Sequence, residues 1–167
     1  MTDRQLKALL CLILGAMALL YVVHNLANFG EARAFFTYVT SHADQVAYPV
    51  TLLPVPAAPL VLMAMALVFA LEIAAGVLLV MASLEIARGA RDPQRDARAM
   101  RLARTGIGCA LLNWWGLFQV VAGAGYQMWQ IEAGRDPFYS SMLFGAMYML
   151  VLIVLNQRSG ATEDTAS

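Results

Sequence analysis

Four long apolar runs separated by shorter polar connections set the pattern of this chain. The first extends from Ala8 to about Ala27 and is interrupted late by His24 and Asn25. The second extends from Ala57 to Leu84, the third from Thr105 to about Tyr126, and the fourth from Phe138 to about Leu155. A helix needs roughly 20 apolar residues to cross the hydrocarbon of a bilayer. The pattern therefore predicts an all-α integral membrane bundle of four transmembrane helices, at about 8–27, 57–85, 105–126 and 138–157, forming one domain over 1–167. The first run has no clear small-residue cleavage site and is long enough to span, so it reads as a retained helix rather than a signal peptide.

The connections differ in character. Residues 28–56 are mixed, and the Phe35-Phe36-Thr37-Tyr38 cluster predicts a short helix lying in the membrane interface. Pro49, Pro54, Pro56 and Pro59 then forbid a long regular helix, although Pro59 fits the first turn of the second span. Residues 86–104 read as an arginine-rich loop, with Arg88, Arg91, Arg95, Arg98, Arg101 and Arg104 against only Asp92 and Asp96, and a turn at Asp92-Pro93. A short polar connection, 127–137, joins the last two spans.

Charge placement orients the bundle. The N-terminus, the arginine-rich connection and the tail from Arg158 together carry nine of the 11 Lys and Arg residues, against Arg33 and Arg135 on the other side. By the positive-inside rule both termini are expected in the cytoplasm of a bacterial inner membrane, with 28–56 and 127–137 in the periplasm. Tyr126, Trp129, Phe138 and Tyr139 would then form an aromatic belt. The whole chain is 60% hydrophobic and has a formal net charge of zero, which removes nucleic acid from the expected partners and leaves the lipid bilayer and other membrane proteins. Both cysteines, Cys11 and Cys109, lie inside apolar runs and read as small buried hydrophobes.

The candidate chemistry centres on Glu72, a lone carboxylate near the middle of the second run. An acid at that depth costs on the order of several kcal/mol unless a partner recovers it. Met65, Phe69, Glu72 and Gly76 share one side of the helix, so another helix can approach beside the acid. Asn113 and Gln119 of the third span are its candidate hydrogen-bond partners. The plain reading is helix-to-helix glue, and the functional one is a proton-handling or ligand-binding carboxylate.

Two further groups accompany it. Tyr21, His24 and Asn28 form a polar stripe, joined by Asn25, at the periplasmic end of the first helix. Such a stripe either bonds interfacial backbone and water or, through His24, contacts haem or quinone; the second histidine that bis-histidine haem requires is His42, in the loop. Trp114 and Trp115 lie too deep for interfacial anchors, so at least one indole needs an acceptor inside the bundle, and the pair could line a quinone or lipid pocket. Gly108, Gly116 and Gly123, with Ser141 and Gly145 on the fourth helix, read as close-packing positions. No metal site or catalytic motif stands out, and the chain reads as a non-enzyme.

Several stretches together resemble a known family: Asn25-Leu26-Ala27-Asn28-Phe29-Gly30, Phe36-Thr37-Tyr38-Val39 ahead of Tyr48-Pro49, Leu71-Glu72-Ile73, and Tyr126-Gln127-Met128-Trp129-Gln130. They are similar to the predicted small integral membrane proteins of domain-of-unknown-function family 2165, and Met128-Trp129-Gln130 is the most specific part. Gly123-Ala124-Gly125 stands where the family pattern has a Gly-Gly-Glu-Trp segment, and Asn28 stands where it has an aspartate. The resemblance implies a four-helix membrane protein and no particular activity. Three functions are carried forward: a non-catalytic accessory or assembly subunit of a larger inner-membrane complex, a redox anchor holding quinone or haem near His24, Glu72 and Trp115, and a small-solute or proton carrier using Glu72.

Overall fold

The computed structural model describes residues 1–89 and 92–157. Arg91 and the charged tail from Arg158 lie outside the described residues. Helix α1 covers Asp3–Ala27, α2 Phe29–Thr40, α3 Ala58–Arg88, α4 Pro93–Leu111 and α5 Glu132–Asn156. Between the last two, α4 continues without a break into a π-helical segment, Leu112–Gly125, and a single 3₁₀ turn covers Met128–Gln130. Among the described residues four helices, with α4 and its π continuation taken together, are long and apolar enough to cross a membrane.

Local sequence explains where each helix begins. Thr2 and Gln5 form a reciprocal capping box at the start of α1. Asp92 accepts hydrogen bonds from the Gln94 and Arg95 backbone at the start of α4, and Pro93 takes the first helical position. Pro59 sits in the first turn of α3, as its position predicts. Asn28 makes the corner between α1 and α2, its side-chain amide donating to His24 O at 2.9 Å. The short helix expected around Phe35 to Tyr38 is α2.

Two boundaries differ from the sequence reading. The arginine-rich stretch is helical from Pro93 onward, because Gln94, Arg95, Ala97, Arg98, Ala99, Met100 and Arg101 are good helix formers behind a strong cap. Helix α5 starts at Glu132, not Phe138, and carries Pro137 inside it. There the backbone N–H groups of Gly134 and Arg135 both donate to Ile131 O, so the first turn is fixed before the proline is reached.

Packing rests on close approach of backbones. Helices α1 and α3 cross where Gly15 meets Gly76: a Cβ on either glycine would stand 3.0 Å from the carbonyl oxygen of the other. Ser83 Oγ donates to Ala8 O at 2.8 Å in the same interface. Gly106 of α4 lies against Ala75 and Leu79 of α3. The buried Tyr148 of α5 reaches across to donate to Leu14 O of α1 at 3.0 Å. The resulting core of Cys11, Leu14, Ala18, Leu79, Ile107 and Tyr148 is surrounded by outward-facing leucines, valines and methionines, as a lipid-facing surface requires.

The two described ends of the chain meet at one face of the bundle, where Lys7 Nζ donates to Gln157 O at 2.8 Å. Charges tie the helix ends together there. Arg4 pairs with Asp96 at 2.8 Å and also donates to Ile86 O, while Arg95 and Arg98 both approach Glu85 at 3.7 Å. These pairs have one exposed and one half-buried partner each, and fasten the α1, α3 and α4 ends without adding much stability.

Candidate functional site

Glu72 lies 14 residues into α3, about 21 Å along the helix from its first residue at 1.5 Å per residue. It is 2% exposed, with Met65, Phe69 and Gly76 buried beside it, and is held by one hydrogen bond: Asn113 Nδ2 donates to Glu72 Oε1 at 3.2 Å. Asn113 is itself fully buried. Glu72 Oε2 and Asn113 Oδ1 are both enclosed without a hydrogen-bond partner in the protein. Buried polar atoms are nearly always paired, so these two, like His42 Nδ1 and Gln45 Oε1, are exceptions.

Gln119, the other sequence candidate, does not reach Glu72. Its amide donates instead to Phe138 O and, at 2.7 Å, to Ser141 Oγ of α5. Gln119 is six residues beyond Asn113, which places the two roughly 120° apart around a helix and directs them toward different neighbours. The two tryptophans, being consecutive, also point in different directions. Trp115 donates its indole N–H to Met142 O at 3.2 Å, the intramembrane acceptor that its depth requires, and packs on Gly145. Trp114 turns inward and is 6% exposed.

A cavity of about 500 Å³ links Glu72 and Trp114 to the polar stripe of α1. Tyr21, His24, Asn25 and Asn28 all line it, and Glu31 of α2 and Asp136 of α5 complete its outer part. Those outer residues belong to the end of α1, the start of α2 and the start of α5, so the cavity runs from the face opposite the chain ends to mid-bundle depth. Two groups found separately in the sequence thus share one site. Glu31 and Asp136 escaped the sequence reading because each sits at a helix start, where acids are ordinary. The aromatic wall contributed by Phe36, Phe118 and Phe144 escaped it because those residues come from three separate elements.

The wall is a connected set of rings. Trp114 contacts Phe144 with centroids 4.9 Å apart, Phe118 at 5.3 Å and Tyr21 at 5.9 Å, the first and last edge to face. Phe36 meets Phe118 edge to face at 6.5 Å. Beyond that pair lies a second, apolar cavity of about 250 Å³ under α2, which shares Phe35, Phe36, Val68 and Phe118 with the first.

The two histidines occupy different settings. His24 Nδ1 lies 3.1 Å from Leu20 O at the mouth of the main cavity. His42, with positive φ, places Nε2 2.7 Å from Leu53 O and stacks on Tyr126. Among the expected close-packing positions, Gly123 lies under the Phe138 ring and Gly145 under Trp115, but Gly108 has nothing within 4 Å and Gly116 only the edge of Leu112 at 4.0 Å. In the expected aromatic belt, Trp129 and Tyr139 face outward, while Tyr126 and Phe138 pack on Val39, Met128 and Ile131.

Met128, Trp129 and Gln130 hold the 45–57 segment. Gln130 Oε1 accepts from the Ala47 and Tyr48 backbone N–H groups at 2.9 and 3.0 Å, and its amide donates to Gln127 Oε1 and to Tyr48 O. Trp129 packs edge to face on Tyr48, and Met128 is fully buried beneath. No curated protein and no solved structure matches the chain. The family model described as "Predicted small integral membrane protein (DUF2165)" matches residues 3–158, essentially the whole described fold, and the chain belongs to that family of membrane proteins.

Proposed function

We propose that the protein is a non-catalytic membrane subunit that receives a small solute at Glu72 through the cavity opposite its chain ends. The observation that carries this reading is the unpartnered Glu72 Oε2, on an acid that lines a cavity leading to one face of the bundle. Helix glue alone does not require a cavity at the acid or leave its second oxygen unused. With the arginine-rich face in the cytoplasm of a bacterial inner membrane, solute would enter from the periplasmic side.

Dicyclohexylcarbodiimide tests access. This apolar reagent adds to carboxyl groups shielded from water, and at mildly acidic pH it is expected to leave an adduct on Glu72, read by peptide mass spectrometry and lost in Glu72→Gln. A folded protein that takes up no adduct at Glu72 overturns the reading.

A separate observation favours the role of subunit in a larger membrane complex. Val46, Val50 and Leu52 are 80–91% exposed on the segment that Gln130 and Gln127 fasten to the bundle. Fixed apolar side chains at the membrane edge suit the side of a second integral membrane protein. Gln130→Leu is expected to raise amide hydrogen exchange at Ala47 and Tyr48 by roughly tenfold or more, since two backbone donors lose their acceptor. The same substitution should remove any stoichiometric membrane protein that co-purifies in mild detergent. A partner retained at full stoichiometry after the segment is released counts against this docking surface.

A further inference from the structure

We infer that the Glu72 cavity binds an organic cation with an apolar or aromatic body; this rests on the reading that solute reaches Glu72. Charge comes first. Glu72 stands at the inner part of the cavity and Glu31 and Asp136 at its outer part, while no lysine or arginine is among the described residues that line it. The only lining side chain able to carry positive charge is His24, at the mouth. The two outer acids, with no fixed cation beside them, give the mouth of the cavity a field that draws positive ligands in and repels anions, and Glu72 offers a carboxyl at the inner end.

The wall decides which kind of cation. A metal ion such as sodium, magnesium or calcium requires a shell of about six oxygen ligands to replace its water. Beside Trp114 the cavity offers the one carboxyl of Glu72, and the neighbouring wall is mostly ring surface from Tyr21, Trp114, Phe118 and Phe144, with Val68 among them. Aromatic faces attract diffuse, weakly hydrated cations, above all substituted ammonium groups, more effectively as water is excluded. The charged centre would sit between the Glu72 carboxyl and the Trp114 cluster.

Size and shape agree with this. A volume of about 500 Å³ falls within the roughly 300–1,000 Å³ of small-molecule sites. The second cavity, apolar and reached past Phe36 and Phe118, gives an aliphatic or aromatic arm a place to lie. A compact amine such as methylammonium would leave most of both volumes unfilled.

Tetraphenylphosphonium and tetraphenylborate test the assignment, because they present the same four-ring shell with opposite charge. Isothermal titration of the purified full chain in detergent is expected to show saturable phosphonium binding, with tetraphenylborate weaker by ~10-fold or more. Glu72→Gln should weaken phosphonium binding by ~10-fold or more while the melting temperature stays near that of the parent. Asp136→Asn, at an exposed position that does not endanger folding, should weaken it by a few-fold at low salt and by less at high salt.

Borate binding as tightly as phosphonium, or Glu72→Gln binding phosphonium unchanged, overturns the inference. So does a protein that binds neither ion. Carbodiimide labelling separates the two levels: Glu72 labelled without cation binding removes the ligand class alone, whereas Glu72 unlabelled in folded protein removes the solute-access reading with it.

Discussion

Gly76→Leu is expected to cost the fold about 3 kcal/mol or more, measured as a loss of thermal or denaturant stability in detergent, while Gly108→Leu stays within about 0.5 kcal/mol of the parent. A Cβ at Gly76 meets Leu19 Cγ at 2.5 Å and Gly15 O at 3.0 Å. The leucine on α1 can rotate, but the Gly15 carbonyl belongs to the backbone, so a full side chain at Gly76 forces the helices apart. In lipid that separation forfeits van der Waals contact with no hydrophobic term to compensate. The crossing is close to Glu72, so displacing it also disturbs the alignment of the acid with Asn113. Gly108 supplies the control, because nothing lies within 4 Å of its Cβ position, and leucine is the better helix former. Equal melting behaviour of the two variants would show that the α1–α3 crossing is not the tight contact of the bundle.

That contrast shows where the sequence stops informing. Gly76 and Gly108 both sit in apolar helices and look equivalent as letters, and only the direction of each helix face separates a crossing from open lipid. The four spans were legible because hydrocarbon thickness imposes a length that composition alone reveals. Glu72 was legible because an acid in such a run is costly, and Asn113 because few groups at that depth can bond to it. Gln119 was misassigned to the same acid because it was chosen by depth alone: six residues from Asn113 it lies on another helix face, where Ser141 of α5 meets it. The Gln130 clamp was legible only as part of a family-like motif. Its role requires the backbone of Ala47 and Tyr48, more than 80 residues earlier in the chain, to be in place.

Asn113→Leu is expected to destabilise the protein by about 2–4 kcal/mol, because it leaves both oxygens of a buried carboxyl without a donor. Glu72→Leu strands the Asn113 amide in the same way, with a smaller cost because a neutral group is easier to bury than an acid. The double variant, Glu72→Leu with Asn113→Leu, should regain most of the loss, since two leucines pack against each other and leave no polar atom to satisfy. Melting of the four proteins gives the coupling energy directly, and a value of about 1–3 kcal/mol is expected for groups in contact. Interhelical hydrogen bonds in membranes contribute only ~0.6 kcal/mol on average, so an apolar pair is an equally stable way to join α3 to the third span. If the double variant is as stable as the parent yet takes up neither carbodiimide nor phosphonium, stability does not account for an acid at this position. Its purpose then lies in the cavity. A double variant that stays as unstable as the singles would mean that the acid and amide hold the helices in a geometry leucines do not reproduce, and glue would be the sufficient explanation.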